Sequence, residues 1–309
     1  MLIEELTEEQ KDAMLAEVGY TRRQLDSDLE HIKDWLKLQH HLPPSRLTES
    51  DYFLINYLTG CKGSLEKVKR KLDAYYTLRS HSEIFDCRDP LDPEYLIMVN
   101  ALMLAISPNV TKGKTPSRVL VVAGFPNADR QNMNFSCYMR RYLHTIELWL
   151  RESSHWVKFC VLLDAREVEA NDLSHSLIRD LLRYLLQAMP LRYTKLYVIN
   201  TPSYLAPLIN NMIIPFVPKK HKQKLYITTK GFEEVSQYFD KSVLPSDYGG
   251  DLPPLKELYE IWRAEEIKRR DWFVNELSER CDESKRIIPQ DPTNPYFGMP
   301  GSLKKLVVD

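Results

Sequence analysis

At 309 residues the chain is long enough for one large domain or two smaller ones, and its 43% hydrophobic and 28% charged content is ordinary for a globular protein. A formal net charge of −1 excludes a general nucleic-acid binder, whose affinity rests on surplus basic side chains, so any anionic partner must be met by a local patch. The five cysteines (Cys61, Cys87, Cys137, Cys160 and Cys281) show no CxxC or Cys/His spacing, which argues against a zinc motif and for reduced thiols.

The opening MLIEELTEEQ is acidic and amphipathic, unlike a signal peptide, and no apolar run approaches membrane-spanning length. The expectation is a soluble cytoplasmic protein, in which the sequons at Asn109 and Asn134 carry no sugar. Residues 1–80 read as helices. Leu25, Leu29, Ile32 and Leu36 recur at helical spacing, widened by Trp35, until Pro43-Pro44 ends the unit. Thr48 reads as the next N-cap, with Asp51 as a shortened capping-box partner and Leu47 stapling to Tyr52. Leu65, Val68, Leu72, Tyr75 and Tyr76 then face inward while Lys67, Lys69, Arg70 and Lys71 face out.

The proline-rich joint DCRDPLDP at 86–93 separates this module from alternating strands and helices. Arg118–Phe125, Val157–Asp164, Lys195–Asn200 and Lys224–Thr228 read as strands, with helical stretches near 135–152, 172–189 and 203–214. That order predicts an α/β fold: a mixed, largely parallel sheet flanked by helices, with an all-helical N-terminal module packed on it. Residues 95–107 are ambiguous between helix and strand. An amphipathic helix begins near Pro254 and runs on to Leu277, and the last thirty residues form an irregular strap. The predicted divisions are a helical module at 1–88, a sheet domain at 89–254 and a helix with tail at 255–309.

The stretch KLYVINTPSYLAPLINNMIIPFVPKKHKQK is the most unusual. Its strand is followed by Leu205, Ala206, Leu208, Ile209, Met212, Ile213 and Ile214, which cover most of a helical wheel and leave only Asn210 and Asn211 strongly polar. Such a helix is buried or meets lipid, yet at ~1.5 Å per residue it spans only about 18 Å, too short to cross a bilayer. Lys219, Lys220, His221, Lys222 and Lys224 follow Pro215 at once. Two readings stand: a core helix with a solvated turn, or an apolar segment with a basic edge suited to an anionic membrane.

Enzyme signatures are missing. Phe125-Pro126-Asn127 stands where a dinucleotide fingerprint would begin, and there is no phosphate loop, no GxSxG elbow and no HExxH pair. Asp164 with His144, His155 or His175 lacks a nucleophile on a strained turn, so a hydrolase is the remote alternative. Apolar helices around a sheet suit a hydrophobic cavity instead.

Several segments together resemble the CRAL-TRIO lipid-transfer family, and within it the α-tocopherol transfer protein-like members of insects. YFLINYLTGCKGSLEKVKRKLDAYYTLR is similar to the family's N-terminal module, PLRYTKLYVINTPSYLAPLINNMIIPFVPKK to its strand and gate helix, and LPSDYGG to its closing motif. The tail YFGMPGSLKKLVVD is similar to that of the insect members. The resemblance implies a non-enzymatic carrier of a tocopherol-, retinoid- or other lipid-like ligand, without cofactor or metal, monomeric and transiently at membrane surfaces. It also implies a mobile gate at Ser203–Ile214 and phosphoinositide contacts at Arg192, Lys220 and Lys224, with Thr194 in place of another basic contact and Thr59-Gly60-Cys61 where arginines stand in relatives. A lipid-sensing adaptor or a phosphoinositide or phospholipid exchange protein is the alternative on the same fold. The expected pocket comprises Phe159, Val161, Leu163, Leu181, Leu185, Val198, Leu205, Leu208, Ile209, Met212, Ile213 and Phe216. The expected anionic-membrane set comprises Arg192, Lys195, Lys219, Lys220, Lys222 and Lys224.

Overall fold

A computed structural model describes residues 2–45, 48, 50–81, 83–128, 135–152, 158–169 and 181–287, apart from the side chains of Glu83, Phe135, Glu152, Met212, Phe216 and Lys220. Four helices open the chain: α1 (Glu8–Glu17), α2 (Arg22–Lys37), α3 (Asp51–Gly60) and α4 (Leu65–His81). Thr7 and Thr21 cap the first two through their side chains, and Thr7 with Gln10 forms a complete capping box. The expected cap at Thr48 is not used. Ser50 precedes α3 without a side-chain cap, and Thr48 turns back to donate to the Ser45 carbonyl at 2.8 Å. Leu47, the expected staple, lies outside the described residues.

The ambiguous stretch 95–107 divides into α5 (Pro93–Val99), capped by Asp92, and β1 (Leu102–Ile106). Then follow β2 (Ser117–Gly124), α6 (Phe135–Glu152), β3 (Lys158–Asp164), β4 (Tyr193–Ile199), the short helices α7 (Leu205–Leu208) and α8 (Lys219–Lys222), and β5 (Leu225–Ile227). The expected helix at 172–189 is described only from 181, and the expected tail strap lies outside the described residues from 288. The sheet runs β1-β2-β3-β4-β5, with β1 antiparallel to β2 and the other pairs parallel. Parallel strands taken in simple sequence order, each joined by a right-handed crossover, put their connections on one face of the sheet. That face carries α6 and the 205–217 segment. The other carries the aromatic cluster of Tyr197, Tyr226, Tyr238 and Phe239, graded from buried Tyr197 to exposed Tyr238.

The C-terminal helix expected to run unbroken to Leu277 breaks at Arg269 into α9 (Leu255–Lys268) and α10 (Arg270–Asn275). The break lets the last turn fold into a buried ion network. Arg79 of α4 donates to Glu147 of α6 and to Glu276, both at 2.8 Å, and Arg88 bridges the same two carboxylates. Tyr184 adds a hydroxyl to Glu147 at 3.0 Å. A second network centres on Glu266 of α9, which accepts from Arg141 at 3.0 Å, His144 at 2.7 Å, Arg263 at 2.7 Å and the Tyr95 hydroxyl. Burial pushes the Glu266 carboxyl up, but Arg141 and His144 outweigh it and hold it well below the usual range.

Removing one partner of a buried pair leaves an uncompensated charge, so Arg79→Met should cost about 3–5 kcal/mol in denaturant unfolding; a loss below about 1 kcal/mol would show the pair to be incidental. A second expectation concerns pH. Burial, then the Arg88 charge, push the His144 imidazole down to about 4 from 6.5. Because the unfolded chain binds this proton more readily, stability is full above pH 6.5 and falls as pH drops toward the folded value. Between pH 6.5 and 5 this group should account for a loss of about 2 kcal/mol, and His144→Gln should flatten that part of the stability profile.

Candidate functional site

Between α6 and the sheet lies a cavity of about 300 Å³. Its floor is set by register. Val161 pairs with Leu196 and Leu196 with Leu225; Leu163 pairs with Val198 and Val198 with Ile227. These two cross-strand rows place six apolar side chains on one face, as period-two alternation requires, and all six line the cavity. Tyr138, Met139 and Tyr142 of α6 form one wall. Leu181, Leu182, Leu185 and Leu186 form the next, and Leu205, Ile209, Ile213, Ile214 and Val217 cover it.

Two walls contain π turns, Tyr184–Ala188 and Ile209–Ile213. Each closes on the residue before a proline: Met189 N–H donates to the Tyr184 carbonyl ahead of Pro190, and Ile214 N–H to the Ile209 carbonyl ahead of Pro215. A proline has no N–H to continue an α ladder, and in both places the last available donor reaches back five residues. Lys71 of α4 then donates to the exposed carbonyls of Leu186 and Met189 at 2.8 and 2.6 Å, tying the helical module to the cavity wall.

The expected single helix over Ser203–Ile214 is therefore three short pieces: α7, the π turn and a 3-10 turn at Ile214–Phe216 that includes Pro215 instead of stopping before it. Nor is it a core helix. Leu205 is buried, Leu208, Ile209, Ile213 and Ile214 are half-buried, and Ala206 is exposed. One side meets the cavity and the other meets solvent.

Of the residues expected in a pocket, Val161, Leu163, Leu181, Leu185, Val198, Leu205, Ile209 and Ile213 line this cavity. Phe159 is on the same strand face but off the wall, because a register shift between Phe159 and Cys160 sets it against Tyr193 and it stacks on Trp149 at 5.3 Å. Leu208 is also off the wall, and the side chains of Met212 and Phe216 lie outside the described ones. Leu196, Leu225 and Ile227 were missed because only the strand register aligns them. The α6 wall carried a signal in its i, i+4 spacing of Tyr138 and Tyr142.

The basic residues are not one patch. Arg192 pairs with Glu17 of α1 at 3.0 Å, beside Lys158, which also pairs with Glu17 at 2.9 Å. The Lys195 ammonium lies over Tyr197 and Tyr238, 5.3 and 5.2 Å from their ring centres, and the residue also borders the cavity. Lys224 donates to the Tyr193 carbonyl at 2.6 Å and, with His221, borders the cavity. Lys219 and Lys222 are exposed on α8, and the Lys220 side chain lies outside the described ones. Among the described residues no helix is long and apolar enough to cross a membrane.

Comparison with known proteins agrees with this architecture. Residues 112–250 match the CRAL/TRIO domain, and residues 21–95 match the Pinta-like UBA domain. The chain is 22% identical to clavesin-1 of Xenopus laevis over 236 residues, covering 74% of this chain and 69% of clavesin-1. It is likewise 22% identical to clavesin-2 of Homo sapiens over 235 residues, covering 74% and 70%. The crystal structure of Sfh5 shares the fold, with a TM-score of 0.51 over 82% of this chain and 99% of that one at 12% identity. Residues 112–250 thus form a CRAL/TRIO domain, the domain of a lipid-binding and lipid-transfer family.

If the cavity is real space in solution, a larger side chain should enter it without strain. Leu163→Trp should abolish uptake of an apolar dye such as Nile red and leave the unfolding midpoint nearly unchanged. A solid core would instead resist the added volume by about 1–3 kcal/mol.

Proposed function

We propose that this CRAL-TRIO protein is a non-enzymatic carrier that holds a tocopherol-, retinoid- or other lipid-like molecule in this cavity and exchanges it at membranes. The supporting observation is a cavity of about 300 Å³ walled by aliphatic side chains and tyrosines, with Lys195, His221 and Lys224 as its basic members. Its volume, at the lower end for drug-sized ligands, favours a single compact apolar molecule over a two-chain phospholipid.

The 205–217 segment acts as the gate. Swinging it outward in water exposes apolar side chains at ~1.5–3 kcal/mol each, which keeps the carrier shut in the cytoplasm. At a bilayer the same side chains enter the headgroup–acyl boundary and most of that cost disappears. Pro202 and Pro207 at one end and Pro215 at the other limit the moving piece. Lys219 and Lys222, exposed immediately beyond it, hold this edge against anionic lipid at about 1 kcal/mol each.

Organic extraction of the purified protein should yield a stoichiometric apolar molecule, and the protein should move a fluorescent lipid between vesicles. The pair Lys219→Glu and Lys222→Glu should slow transfer to anionic acceptors roughly tenfold or more and leave transfer to neutral ones intact. A protein that releases nothing on extraction and takes up no apolar probe is not a carrier.

A further inference from the structure

The cavity wall holds a pair of phenols that an all-hydrocarbon ligand would leave unused. Tyr142 of α6 and Tyr193 at the start of β4 both line it. Their hydroxyls are close enough to act on each other, in a wall whose other polar members are Lys195, His221 and Lys224. The Tyr193 hydroxyl oxygen is buried and makes no hydrogen bond among the described residues. An orphaned buried hydroxyl forfeits its hydration for nothing, at a cost comparable to a lost hydrogen bond.

The rings are fixed from behind. Tyr193 packs edge-on against Phe159 at 5.3 Å, Phe159 stacks on Trp149 of α6, and Lys224 holds the Tyr193 backbone carbonyl. Burial pushes both phenols well above their ordinary range, so each keeps its proton and acts as a donor. Tyr193 O–H can donate to the Tyr142 oxygen, which frees Tyr142 O–H to point into the cavity. Such a relay offers one directed donor and wants one acceptor, and donation in series strengthens both bonds.

We propose that Tyr142 and Tyr193 form the polar anchor of the cavity and select a neutral lipid bearing an acceptor oxygen (a hydroxyl or carbonyl) over a hydrocarbon of the same shape. A carboxylate is disfavoured, because the lining cations are engaged elsewhere, Lys224 on the Tyr193 carbonyl at 2.6 Å and Lys195 over the Tyr197 and Tyr238 rings, and the tyrosine pair supplies no charge. The inference rests on the carrier reading and adds to it which end of the ligand goes where.

Displacement of Nile red by dodecanol, dodecanal, dodecane and dodecanoate separates the two claims. Tyr142→Phe and Tyr193→Phe remove only the hydroxyls and keep the rings, so both variants should fold. Tyr193→Phe should melt at or above the wild-type temperature when empty, since it deletes an unpaired polar atom. Each variant should lose roughly three- to tenfold in affinity for dodecanol and dodecanal. Affinity for dodecane should hold or rise. Equal losses for dodecanol and dodecane, or no loss for either, would overturn the anchor and leave the carrier reading standing. Dodecanoate bound more tightly than dodecanol would overturn the neutral-ligand assignment. If no probe displaces Nile red from the wild type, the carrier reading itself fails.

Discussion

Helix α6 is asked to do two incompatible things, and the buried ion networks reconcile them. One side of it, at Tyr138, Met139 and Tyr142, faces a cavity and so lacks the close packing that normally holds a helix to a sheet. Elsewhere on it Arg141, His144 and Glu147 are buried and engaged by Arg79 of α4, by Arg88 and by Glu266 of α9. An ion pair in a dry interior is a weak source of net stability but a stringent one for geometry, because misplacing one charge strands the other. The helix is thus pinned from outside where it cannot be packed from inside. This also explains why the C-terminal helix breaks at Arg269: the turn that follows places Glu276 where Arg79 and Arg88 can reach it.

The walls of the cavity differ in how firmly they are held. The floor is built on a hydrogen-bonded sheet, and the Leu181–Leu186 wall is tied to the helical module by Lys71. The 205–217 cover is different. It changes winding twice in about a dozen residues, is half-exposed, and is flanked by prolines. A segment with few buried contacts and interrupted hydrogen bonding belongs to the low-stability end of a fold, where opening costs least.

Much of this was legible beforehand, for identifiable reasons. Strands β2 to β5 are dense in β-branched and aromatic residues and bounded by turn formers, so their existence and order followed from periodicity. Strand β1 did not, because YLIMVNALMLAIS is apolar throughout and a fully buried run has no period to read. The cavity floor was half legible: alternation identifies Val161 and Leu163, but Leu196, Leu225 and Ile227 join them only through inter-strand register, a long-range property. Phe159 obeys the alternation and still misses the wall, since one shift in register beside it moves the partner strand along. The Glu147 and Glu266 networks were invisible, because all their members but Arg263 lie tens of residues or more from the carboxylate they meet, and the charged ones read locally as surface charges.

The π turn at Ile209–Ile213 has a consequence for how this protein can vary. A π turn is an α turn carrying one surplus residue, so the cover is held at a fixed count between Pro207 and Pro215. Deleting that residue would restore ordinary winding and keep the downstream side chains near their present phase, whereas deleting one from α7 would rotate them by about 100° and carry Ile213 and Ile214 off the cavity roof toward solvent. Substitution along the cover changes what the cavity holds. Its length, by contrast, is a phase setting with one residue of slack at the π turn, where a one-residue difference in length among relatives of this chain should fall.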